Sequence, residues 1–445
     1  MNPYRTPFRR WAWLPVLFLA VCPEVRPQTA GDAVHFALKN GLEVILSEDA
    51  NLPIVSVAVA YRVGSADDPP AKSGLAYLME TLMFSGSANV APLQHINTMY
   101  RIGGNFNASV TEDRTVFFQT VPSHYLGLVL WLESDRMRSL EITPESFEMA
   151  RNDHLIELRR KRLEEPYLES RMVFDQAVFP GSSFHQPLEG TEMSLTNLSV
   201  QDARSFYTED YVPNRAVLSV AGQFDRVRAR ELIARYFETI PRGSDIPPAS
   251  PPPTVPETKA FTRTLADPIA TSPAFFWGYR IGIPTAAERR ALRLLEYVLI
   301  RGASSRLLRR LLGRNNKIAY QVNGGLDIRG DQVAFRVFGV VGTASMLDVC
   351  LNAATNEIDR LKRTSVPDDE LLRAKRAFQS DRLDSLATPT DRALTLAKAF
   401  LSMPDFAAYP KEMEQVLDLT AYDLRVVVNR YFGPDKMFIV KAVTK

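Results

Sequence analysis

Two stretches of this chain, about 220 residues apart, read as copies of each other, a spacing that means a duplicated domain and not a solenoid of short repeats. Tyr61-Arg62-Val63-Gly64 recurs as Tyr279-Arg280-Ile281-Gly282, each preceded by a β-like run and followed by a long amphipathic helical stretch. Farther along, Leu198-Ser199-Val200-Gln201-Asp202-Ala203-Arg204 is matched by Leu419-Thr420-Ala421-Tyr422-Asp423-Leu424-Arg425. Ser199 and Thr420 suit a helix N-cap, because a hydroxyl there accepts a backbone N–H of the first turn. A short helix, a turn with Pro213 or Pro434, and an apolar strand complete each copy, Ala216-Val217-Leu218-Ser219-Val220 in one and Met437-Phe438-Ile439-Val440 in the other.

Between the copies, residues 243–258 carry a run of prolines that neither continues a helix nor pairs as a central strand. At 445 residues the chain is too long for one ordinary core. The organisation expected is therefore a leader over 1–30, a domain over 31–242, a connector over 243–258 and a second domain over 259–445. Within a half, Val55–Tyr61 and Thr115–Val121 read as strands. Tyr125–Leu140 reads as a helix with Leu126, Val129, Leu130 and Leu132 on its apolar face. The fold class is α+β, two homologous domains, each a mostly antiparallel sheet with packed helices.

The N-terminus is read as a targeting segment. Arg5, Arg9 and Arg10 precede the apolar run Trp11–Cys22, too short for a membrane span and of the form of a secretory signal. This points to secretion, to the periplasm of a bacterium. Leu19-Ala20-Val21-Cys22 has the outline of a lipoprotein box, with Val21 bulkier than the small residue expected there, so membrane attachment follows only if Cys22 is lipidated. If Cys22 leaves with the signal, Cys350 is the one cysteine left, read as a small buried apolar residue. With Lys+Arg 53 against Asp+Glu 51, nothing calls for a nucleic-acid partner.

The chemistry is concentrated in Ser73-Gly74-Leu75-Ala76-Tyr77-Leu78-Met79-Glu80-Thr81-Leu82-Met83-Phe84-Ser85-Gly86. On a helix, positions 77, 80 and 81 share one face. The segment resembles the G-L-A-H-F-L-E-H-M-x-F-x-G helix of the pitrilysin/insulinase family, whose inverted H-x-x-E-H motif supplies two zinc histidines and a glutamate base. Tyr77 and Thr81 stand where the histidines would be, and Glu80 keeps the base position. A phenol and a threonine hydroxyl are poor zinc ligands at neutral pH. Without a metal to lower the pKa of a bound water, Glu80 has no nucleophile to generate.

The resemblance extends to Phe147–Glu157, similar to the family's F-x-x-E-R-x-x-V-x-x-E helix. It implies that Glu157 holds the third-ligand position, while Ala150 has replaced a glutamate that supports the site. No zinc is therefore expected in this chain. A different metal site built from His154, Glu157 and Glu80 is the alternative. Of the five histidines, His35, His95, His124, His154 and His185, no two are at recognised ligand spacing.

Gly103–Thr115 resembles the family's G-G-x-x-N-A-x-T-x-x-D-x-T segment. This implies that Asn107, Ala108 and Ser109 lie on an edge strand receiving substrate through main-chain hydrogen bonds, a mode that reads little sequence. Gly302–Leu307 with Lys317–Tyr320 looks like the family's S-S-R-L…L-A-Y segment, which carries an Arg/Tyr pair that reaches the substrate carbonyl in the closed complex. Tyr320 matches. The usual arginine place is Gly313, so either Arg314 fills the role after a local adjustment or the role is lost.

The likeness runs from about residue 34 to the C-terminus and implies a clamshell of which this chain is one half. In two-chain members one subunit holds the zinc motif and the other, lacking it, helps shape the chamber. The expectation is a non-catalytic subunit of a secreted heterodimeric zinc peptidase acting on unfolded peptides, with zinc in an intact-motif paralogue. A peptide-binding or assembly scaffold without peptidase activity, and an active enzyme with a non-standard metal site, are the alternatives.

Overall fold

The computed structural model describes residues 33–69, 71–180, 183–245, 259–313, 317–403 and 405–445. The leader with Cys22, the connector from 246 to 258, and Arg314 lie outside the described residues. The first half runs β1 (Val34–Ala37), β2 (Glu43–Glu48), β3 (Ile54–Tyr61), α1 (Leu75–Leu82), α2 (Gln94–Arg101), β4 (Asn105–Val110), β5 (Thr115–Pro122), α3 (Leu126–Ser139), α4 (Pro144–Glu164), α5 (Leu168–Val178), α6 (Glu192–Thr196), α7 (Val200–Asp210), β6 (Ala216–Gly222) and α8 (Arg226–Phe237). The second runs β7 (Phe261–Asp267), β8 (Ala274–Gly282), α9 (Ala286–Leu299), α10 (Arg306–Leu312), β9 (Gln321–Arg329), β10 (Gln332–Val340), α11 (Ser345–Arg363), α12 (Asp368–Asp384), α13 (Pro389–Ser402), α14 (Tyr409–Leu417), α15 (Ala421–Tyr431) and β11 (Met437–Thr444).

The strands form two sheets, β1-β2-β6-β3-β5-β4 and β7-β11-β8-β10-β9. In the first, β2 is parallel to β6, and in the second β7 is parallel to β11; the other neighbours are antiparallel. Without β1 the two orders correspond strand for strand, with β3 equivalent to β8, β6 to β11 and the edge strand β4 to β9. The repeated caps behave as read: Ser199 Oγ accepts the Asp202 N–H and Thr420 Oγ1 the Asp423 N–H. The motif glycines serve different ends. A Cβ on Gly64 would sit 2.3 Å from Thr111 O, so the β4–β5 turn can close over it, whereas Gly282 is needed for its φ of +79°.

The stretch after Tyr61-Arg62-Val63-Gly64 is not one long helix. In the second half α9 runs for 14 residues, but in the first α1 stops after 8, and the chain turns at Gly86 (φ +121°) and Pro92 before α2. The helix over Tyr125–Leu140 forms with its expected apolar face buried. Glu133 and Arg136 are buried beside it, because they pair at 2.6 Å and so neutralise each other.

Each sheet has a helix from the other half on one face. One face of the first sheet holds Val57, Val59, Phe117 and Leu218 against its own helices. The opposite face is small-residued, Ala58, Ala60 and Ala221, and lets α13 approach through Ala393 and Ala397. In return α5 lays Phe174, Ala177 and Val178 on Phe276, Ala334 and Phe438 of the second sheet. Polar pairs fix both: Arg392 to Asp49 at 3.1 Å, and Arg329 to Asp175 at 3.1 Å.

Candidate functional site

Asp68 sets the start of α1. Its Oδ2 accepts the Gly74 N–H at 2.7 Å and its Oδ1 the Ala76 N–H at 2.8 Å, satisfying two of the donors that a helix start leaves free. Gly74, at φ +94°, makes the turn, and Ser194 Oγ donates to Ser73 O at 2.8 Å, tying α6 to the same point. Leu75, Ala76, Leu78, Met79 and Leu82 are buried in the core, which leaves Tyr77, Glu80 and Thr81 on the outer face, next to α4 and β4.

Tyr77 packs its ring on His154 of α4, centroids 4.5 Å apart. His154 is only 6% exposed, not a surface histidine, and burial pushes its pKa below the ordinary value. Two turns along α4, Lys161 Nζ lies 3.4 Å from Glu157 Oε1, 3.1 Å from Glu189 Oε1 and 5.6 Å from the centre of the Tyr77 ring. Burial pushes the Tyr77 phenol up from its ordinary 10.0, and Lys161 only partly offsets this, so the hydroxyl stays protonated at neutral pH. Burial likewise raises the Glu80 carboxyl; a hydrogen bond from the Val110 backbone opposes that, and the charge of Glu157 adds to it.

These residues do not fit zinc. The two histidine positions present neutral hydroxyl groups, and the Glu157 carboxylate is directed at an ammonium. Among the described residues no three His, Cys, Asp or Glu side chains gather to hold a metal. The alternative set of His154, Glu157 and Glu80 is not assembled either. His154 lies under the Tyr77 ring, Glu157 faces Lys161, and Glu80 faces the Val110 N–H.

β4, which carries Asn107, Ala108 and Ser109, is an edge strand of the first sheet. Thr111 N donates to Arg114 O at 2.8 Å across the turn, so 105, 107 and 109 bond toward β5, and the amides of 106, 108 and 110 face away from it, that of 110 toward Glu80. Asn107 Oδ1 accepts the Ala108 N–H at 2.8 Å on that side. Asn107 and Ser109 are exposed and Ala108 is half-buried. Beside the strand is a depression of about 250 Å³ whose lining includes Glu80, Thr81, Phe106, Ala108, Met149 and Ala150.

The structure thus brings Tyr77, Glu80, Thr81, Glu157 and Asn107–Ser109 to one place. Tyr320 lines neither the depression nor the Lys161 cluster. It is 63% exposed just before β9, with Lys317 Nζ 5.7 Å from its ring centre. Cys350 is buried as read, its thiol directed to Ile318 O. Lys161 and Glu189 were missed. Lys161 had a signal, its i+4 spacing from Glu157; Glu189 comes from a distant loop and had none.

Two family descriptions match the chain, Insulinase (Peptidase family M16) over residues 43–191 and Peptidase M16 inactive domain over residues 197–378. The zinc protease PqqE of Helicobacter pylori is 25% identical over 403 residues, 89% of each chain. An uncharacterised zinc protease of Streptomyces coelicolor is 23% identical, covering 91% of this chain and 88% of that one. Among solved structures, a Helicobacter pylori protease aligns with a TM-score of 0.86 at 23% identity, over 92% of this chain and 99% of the other. The periplasmic protease PqqL of Escherichia coli aligns with a TM-score of 0.74 at 16% identity, over 94% of this chain and 48% of its own length, a likeness of fold. The chain belongs to the insulinase family of peptidases, family M16.

Proposed function

We propose that this chain is the non-catalytic subunit of a secreted, periplasmic heterodimeric zinc peptidase, holding unfolded peptide while an intact-motif paralogue supplies the zinc. The observation that carries the reading is that an edge strand with an apolar depression beside it adjoins a helix face on which Tyr77 and Thr81 stand at the zinc-histidine positions. β4 keeps an open edge, and the depression beside it keeps apolar walls in Leu93, Phe106 and Met149. Leu93 is held at φ 62°, a conformation that costs a non-glycine residue energy and persists only where its surroundings enforce it. An extended peptide would add to β4 through main-chain hydrogen bonds and lodge one side chain in the depression. Tyr320, and Arg314 if it adjusts, would act only once the two subunits close. The leader is the support for secretion, and the periplasmic setting of PqqL accords with it.

The test is metal content and cleavage of an unfolded peptide by the purified chain, alone and mixed with an intact-motif paralogue encoded beside it. No zinc and no cleavage alone, with cleavage arising or increasing in the mixture, is the expected result. Peptide binding without any gain in the mixture would favour the scaffold reading instead.

A further inference from the structure

We propose that Lys161 is a built-in substitute for the metal cation, so that the former zinc face is a closed ionic cluster that excludes divalent metal even when its histidines are put back. Glu157 and Glu189 converge on one point, since a single ammonium lies within ion-pair distance of both. Carboxylates gathered without a cation repel one another, and a partly buried pair is costly unless a positive charge joins it. Lys161 Nζ supplies that charge at 3.4 Å from Glu157 and 3.1 Å from Glu189. The pair Glu157 and Lys161 has the favoured order on a helix, glutamate four residues before lysine.

A second, independent feature points the same way. The residue that replaced the first histidine houses the ammonium: the Tyr77 ring has Lys161 within cation–π reach and packs against His154, whose buried position fixes the ring. Tyr77 and Glu157 therefore serve one end, holding an ammonium between two of the positions that would otherwise hold a dication. A zinc ion brought to Tyr77→His and Thr81→His would meet a fixed positive charge and a third carboxylate already engaged. This inference concerns the chain alone and holds whether or not a partner subunit exists.

The experiment titrates Co²⁺, whose visible absorption reports a tetrahedral protein site, and then Zn²⁺ in competition. The chains compared are Tyr77→His/Thr81→His and the same pair with Lys161→Met or Lys161→Arg. The expected result is at least tenfold tighter metal binding with Lys161→Met than in the double variant, while Lys161→Arg stays as weak as the double. Equal affinity in the double and the Met-containing triple variant, whether both bind or neither does, overturns the proposal, as does tight binding with Lys161→Arg. Melting of the otherwise native chain gives a readout that needs no metal. Lys161→Met is expected to lower the midpoint by several degrees and Lys161→Arg to restore it; no drop with Met, or no recovery with Arg, overturns the cation role.

Discussion

His95 occupies α2 with 4% of its surface exposed, its Nε2 3.1 Å from Gln119 Oε1 and the Phe84 ring against it. Burial, reinforced by the Arg136 charge, pushes its pKa from 6.5 down to about 3. An unfolded chain takes up this proton as the pH falls through 6.5, while the folded chain refuses it until about 3. Over that window the unfolded state binds more protons, so His95 makes stability fall with falling pH. His95→Gln is expected to lose less stability than the native chain between pH 7 and pH 4.5, read as the shift of the urea midpoint; an identical shift in both chains would count against the argument. The surrounding polar set, Gln119, Glu133 and Arg136, was not legible in the sequence. A helix read by its apolar face assigns charges to water, and only a pairing made in three dimensions keeps Glu133 and Arg136 inside.

At the scale of elements, β4 makes a sharp prediction because its two sides are chemically distinct. The Ala108 amide faces the open edge, so proline there removes a donor that a bound strand needs while sparing the bonds to β5. Ala108→Pro is expected to fold and to lose binding of an extended peptide by tenfold or more, measured by fluorescence anisotropy. Undiminished binding would mean that peptide does not add to this strand. Much at this scale was readable from residues. The shared face of 77, 80 and 81 follows from helical spacing, and the strands 55–61 and 115–121 from their apolar runs. The break between α1 and α2 also has a sequence signal, the Ser-, Gly-, Asn- and Pro-containing stretch from Ser85 to Pro92, which the match between the two halves masks.

For the whole molecule, the duplicated motifs anticipated the matching strand order because each sits at an equivalent place in its sheet. They said nothing of which sheet α5 or α13 would cover, since an apolar helix face does not name its partner. The exchange makes each half incomplete: residues 33–245 alone would lack α13, leaving the face of Ala58, Ala60 and Ala221 open to water. That half, expressed by itself, is expected to aggregate or to lack a cooperative thermal transition; a soluble, sharply melting fragment would contradict this. Both layers return when the two halves meet. A chain cut between 245 and 259 should therefore behave as a split protein whose fragments reassemble only with each other, and whose reconstitution could be used to follow, inside a living cell, whether both halves reach the same compartment.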